Sequence, residues 1–119
     1  MKSIKQMIVL ACAVFILLFA SFGASAGADE KRDGKEMYRE DCRVCHTADS
    51  PHGEFTPMSL TQDQWKEFFK ERFKEKHKNV VLDREKKKLL EFLTADDIKE
   101  IEKFCVKHAA DSEQPQTCS

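Results

Sequence analysis

Apolar residues recur at every fourth position in two stretches of this chain. Trp65, Phe69, Phe73 and His77 form the longer series, with Phe68 beside them and Lys, Glu and Arg between. That pattern predicts an amphipathic helix over about Gln62 to His77, opened by Thr61 with Gln64 completing a capping box. Gly34, Tyr38 and Cys42 form the shorter series, at i, i+4 and i+8 on one stripe of a helix that Asp33 can cap. A glycine inside a helix costs about 1 kcal/mol, so Gly34 signals close approach by another element, unless it merely begins the helix. Thr94-Ala95-Asp96-Asp97 is a further N-cap signature. It opens a last helix with Ile98, Ile101, Phe104 and Cys105 on one face, ending near His108 or Ala109. Asp83–Leu93 reads as helix through Leu89, Leu90 and Leu93. His46–Leu60, with Pro51, Gly53 and Pro57, reads as a loop, and Ala110–Ser119 as a tail that nothing in its own sequence holds down. No strand pattern or internal repeat is visible, so the expected fold class is all-α.

The N-terminus changes the picture. Lys2 and Lys5 precede an uncharged apolar run from Met7 to Phe22, and Ala24-Ser25-Ala26 offers an A-x-A cleavage site. This is the three-part layout of a secretory signal. The small residues closing the run favour cleavage, with an uncleaved membrane anchor as the alternative. Residues 1–26 are thus expected to be a signal peptide and 27–119 one exported or periplasmic domain. Cleavage after Ala26 leaves 93 of the 119 residues, a length that buries little core and often needs a staple. Two of the 20 basic residues and none of the 21 acidic ones lie in the leader. The mature chain therefore carries 18 basic and 21 acidic residues, net −3. Nothing in that balance suggests a nucleic-acid partner.

Cys42-Arg43-Val44-Cys45-His46 carries the candidate chemistry. Cys-x-x-Cys-His is the attachment sequence for c-type haem: two thiols add to the two vinyl groups, and the next residue brings an imidazole beneath the iron. An export signal supports that reading, because covalent haem attachment and disulfide formation both belong outside the cytoplasm. A free redox Cys-x-x-Cys pair and half of a zinc site are the competing readings. The first lacks the preceding strand that a thioredoxin-like setting needs, and the second lacks an obvious fourth ligand. With Cys42 and Cys45 holding one covalent haem, Cys105 and Cys118 remain as a matched pair, and a disulfide between them would pin the tail.

Taken together, Gly34, Tyr38, Cys42, the Cys-x-x-Cys-His segment, Pro57 and the Thr94-capped helix with Ile101 and Phe104 resemble class I c-type cytochromes. The resemblance covers Gly34–Pro57 and Thr94–Val106 well and the middle loosely. It implies a small cytochrome c-like helical domain around one haem c, with the N- and C-terminal helices crossing at the glycine. It also implies His46 as proximal ligand, oriented by the Pro57 carbonyl. The departure is the sixth ligand, because no Met lies between Leu60 and the C-terminus. His77 leads as the distal candidate and Met58 follows, with His52 and His108 behind both.

The function that follows is a monomeric, single-electron carrier between redox protein partners, and not an enzyme. A haem-based gas sensor or peroxidase with an open distal site is the alternative, and a thiol-disulfide oxidoreductase using Cys42 and Cys45 ranks below it. Lys74–Lys78 and Arg84–Lys88 offer basic runs to an acidic partner, although such runs are commonly just solvated surface.

Overall fold

A computed structural model describes residues 30–116 of the chain. The expected leader and Cys118 lie outside the described residues. Within them the fold is mostly helical, with one two-stranded sheet.

Helix α1 (Gly34–Met37) runs directly into a π-helical turn, Tyr38–Cys42. Asp33 opens it with extended backbone and no side-chain bond; its carbonyl accepts from Met37 N at 3.0 Å. After the loop and a 3₁₀ turn at Pro57–Ser59 comes α2 (Gln62–Glu67). This helix continues through a second π-turn, Phe68–Arg72, into α3 (Phe73–His77). The Thr61–Gln64 capping box is present in both directions, as is the Thr94–Asp97 box that opens α5 (Ala95–Lys107).

The segment expected as helix from Asp83 is instead mostly a hairpin. β1 (Val81–Leu82) pairs antiparallel with β2 (Lys87–Lys88), Val81 opposite Lys88 and Leu82 opposite Lys87, and only α4 (Leu89–Phe92) is helical. The expectation of no strand is corrected accordingly. Lys86 takes φ +53° to turn the chain. Leu89 N then bonds Val80 O at 2.8 Å, and Leu82 and Leu89 are both buried in the core.

The first and last helices pack against each other at Gly34. A Cβ there would lie 2.3 Å from the Glu100 carbonyl oxygen and 3.2 Å from Phe104 Cβ, so the two backbones meet where no side chain fits. One turn on, the Tyr38 and Phe104 rings lie 5.4 Å apart over buried Met37 and Ile101.

Hydrogen bonds hold the described part of the tail. Ala110 N bonds Leu60 O at 3.1 Å, and Asp111 Oδ1 accepts from Gln62 N at 2.8 Å, at the opening of α2. His108 Nδ1 meets Gln114 O at 2.8 Å, and Gln116 N returns to His108 O.

Candidate functional site

The π-turn ending at Cys42 feeds straight into a tight turn. Cys45 N and His46 N both bond Cys42 O at 3.1 Å, which brings the Cys42, Cys45 and His46 side chains to one cavity of about 360 Å³. Tyr38, Leu60, Trp65, Phe68, Phe69, Phe73, Val80, Leu89 and Ile101 supply most of its wall. The volume falls in the range of small-molecule and cofactor pockets, about 300–1,000 Å³. All four members of the Trp65–Phe69–Phe73–His77 series face it.

That shared face depends on the π-turn. Four residues of α-helix advance about 400°, so a strict four-residue series drifts about 40° per step and about 120° from Trp65 to His77. A π-turn absorbs one extra residue, about 100°, and brings the series back into line. Phe69 stacks on Phe73 at 5.0 Å and Phe73 on His77 at 4.6 Å, each pair at 30°.

His46 and His77 border the same cavity, with ring centres 6.3 Å apart and planes at 68°. Each has its Nδ1 on a backbone carbonyl: His46 on Gly53 O at 3.1 Å, His77 on Phe73 O at 2.8 Å. A carbonyl only accepts, so Nδ1 carries a proton in both rings, which leaves Nε2 as the atom that could bind a metal. A metal ion bound between them would be held by His46 and His77 through Nε2. Burial lowers the His77 pKa, opposed in part by the bond to Phe73 and reinforced by His46, so the neutral imidazole is favoured.

The loop between these partners is built around His46. Ser50 Oγ donates to the Cys45 carbonyl and accepts from His52 N. Gly53 takes φ +78°, a left-handed conformation suited to glycine, and its carbonyl meets the imidazole. Phe55 packs edge-on to His46 at 5.1 Å, and its carbonyl accepts from Tyr38 OH at 2.6 Å.

Several expected roles move. The Pro57 carbonyl does not orient His46; it accepts from Trp65 Nε1 at 2.7 Å, and Gly53 takes its place. Met58 lies outside the cavity on the 3₁₀ turn, 40% exposed. His108 packs on Phe104 and bonds the tail. His52 reaches only the cavity rim, exposed, with its ring 6.4 Å from His46. Cys105 is fully buried and forms part of the cavity wall. The Cys105–Cys118 disulfide falls on a residue outside the described ones.

The thiols carry information of their own. Burial, with the nearby Asp41 charge and Cys45, pushes Cys42 up to about 12, so the thiol stays protonated at neutral pH. A reactive thiolate at Cys42 would require the opposite shift. Among the described residues no group of three or more His, Cys, Asp or Glu is arranged to hold a metal ion by itself. Sequence reasoning missed Asp41, a cavity-lining carboxylate with a fully buried side chain between Arg32 and Arg84. Its only signal was an acid next to Cys42, and its partners lie nine and 43 positions away. Comparison with family models, curated proteins and solved structures returns no match.

Proposed function

We propose that this chain is an exported, monohaem c-type cytochrome that carries single electrons between redox partners. Cys42 and Cys45 would hold the haem through thioethers, and His46 and His77 would bind its iron. The observation that carries the reading is the pair of imidazoles bordering one apolar cavity with Cys42 and Cys45. Both have Nδ1 committed to a backbone carbonyl, and their ring centres are 6.3 Å apart. The crossing of α1 and α5 at Gly34 supports a cytochrome c-like arrangement of the helices. The signal-like leader supports export.

A haem held here would supply reversible one-electron chemistry, with a potential set by its ligands and surroundings. The chain's own part is to fix both imidazoles and exclude water. Gly53 and Phe73 hold the tautomers, Phe55 and Phe73 hold the ring planes, and the aromatic wall keeps solvent off. Binding by both histidines would leave no open position for a gas or peroxide, which disfavours the sensor and peroxidase reading. The protonated Cys42 thiol disfavours the oxidoreductase reading.

The test is spectroscopic. Purified mature protein is expected to carry one haem that resists acid–acetone extraction, with a low-spin α-band on reduction. His77→Ala should convert it to a form that binds carbon monoxide readily, while Met58→Ala should leave it closed. Free binding of carbon monoxide by the unmutated protein would favour the sensor reading. A colourless protein that reduces disulfides would defeat both haem readings.

A further inference from the structure

Asp41 is the buried charged residue of the described chain, and single-electron transport as such gives it no task. Its Oδ2 meets Arg32 Nη2 at 2.7 Å and its Oδ1 meets Arg84 Nη2 at 2.6 Å, while its side chain is wholly inaccessible. Arg84 also reaches Glu85 at 3.0 Å and Glu40 at 3.4 Å. Both guanidinium groups lie over the Phe92 ring, at 4.9 Å for Arg32 and 5.9 Å for Arg84. The cluster joins the attachment helix to the hairpin loop, and Asp41 itself borders the cavity beside Cys42.

Stability alone is a poor reason for this arrangement. A buried ion pair carries a desolvation cost that pairing at best offsets, and well-packed apolar residues commonly do as well. What a buried charge does that an apolar group does not is act through a low dielectric on any nearby change of charge. One-electron oxidation raises the charge of the group held in the cavity by one. The Asp41 carboxylate favours the oxidised state, and the two guanidinium groups oppose it. Arg84 is the more exposed of the pair, at 45% against 32%, and sits on the hairpin loop.

Resting on the haem reading above, we infer that the Arg32–Asp41–Arg84 cluster sets the reduction potential of the group in the cavity, with Arg84 holding that potential up. Asp41 and Arg84 are thus positioning residues for charge and touch no reacting atom.

The experiment is a spectroelectrochemical titration of mature holoprotein at pH 8. Arg84→Gln is expected to lower the midpoint potential, Arg84→Lys to return most of it, and Asp41→Asn to raise it. In the double variant the Arg84→Gln effect should shrink, because the charge it uncovers is gone. Unchanged midpoints, or both single variants moving the same way, would overturn the inference even if the melting temperature fell, since a merely structural cluster gives that result. Arg84→Gln alters a half-exposed side chain and decides the matter alone if Asp41→Asn does not fold. Protein purified without haem would instead overturn the cytochrome reading, and that is visible before any potential is measured.

Discussion

Replacing Gly34 by Ala tests the helix crossing on which the cavity depends. The added Cβ would stand 2.3 Å from the Glu100 carbonyl oxygen and 2.9 Å from its carbonyl carbon, both backbone atoms inside α5 that no rotamer change can move. Ordinary contact begins near 3.4 Å, so α1 and α5 must part by about 1 Å, a gap that forfeits a quarter to a half of each contact's dispersion energy. The loss falls on Met37, Ile101 and the Tyr38–Phe104 ring pair. Overpacking of this kind costs about 1–3 kcal/mol. The helical preference of Ala over Gly, at most about 1 kcal/mol, is small at Gly34 because it is the first residue of α1. A net loss of about 2–3 kcal/mol follows, or about 10–20 °C in melting temperature for a domain of this size. Thermal unfolding of mature protein followed by far-ultraviolet circular dichroism measures it, with Lys35→Ala on the exposed face as control. If Gly34→Ala melts within two or three degrees of that control, the glycine merely starts the helix and the crossing argument is wrong.

Two further changes are expected to be benign or favourable. Lys86→Gly should stabilise the protein by about 0.5–1 kcal/mol, because a residue with a Cβ is held there at φ +53°; chemical denaturation decides it, and a loss of stability would mean that the Lys86 side chain matters more than its backbone. Deleting Lys70, an exposed residue of the Phe68–Arg72 π-turn, should restore plain α-helix with the cavity series still in phase. Its holoprotein should then keep the low-spin spectrum, and conversion to a carbon monoxide-binding form would show that the π-turn does not set the phase of His77.

The helices and their caps were legible because they are local. Thr61 with Gln64 and Thr94 with Asp97 lie three positions apart and form both capping boxes. The hairpin was not. The spacing of Leu89 and Leu90 fits the short helix α4, but no glycine announces the turn at Lys86; only the backbone pairing of Val81–Leu82 with Lys87–Lys88, with Leu82 buried in the common core, makes the hairpin. The bond from Gln62 to Asp111 spans 49 positions, so the tail's anchor left no trace in the tail's own sequence. Likewise Asp41 reads as one more surface acid until Arg84 arrives from 43 positions away.

The π-turns are a different matter, because their signal was present and had a quantitative meaning. Four residues spaced by four, all facing one cavity, contradict a continuous α-helix, whose drift of about 120° over the series would carry His77 off the face that Trp65 defines. A series of that length on one face therefore requires one residue's rotation to be absorbed within it. The structure absorbs it between Phe68 and Arg72, near the middle of the series. The Gly34–Tyr38–Cys42 series drifts about 80° over two steps, and it too is interrupted, at Tyr38–Cys42. Both corrections serve the same cavity: one sets Cys42 on its wall while Gly34 stays against α5, and the other brings His77 to the cavity that His46 also lines. A strict four-residue spacing that ends in a ligand candidate is thus a sign of a π-turn and of a site together, since only a fixed target makes the phase of the last residue matter.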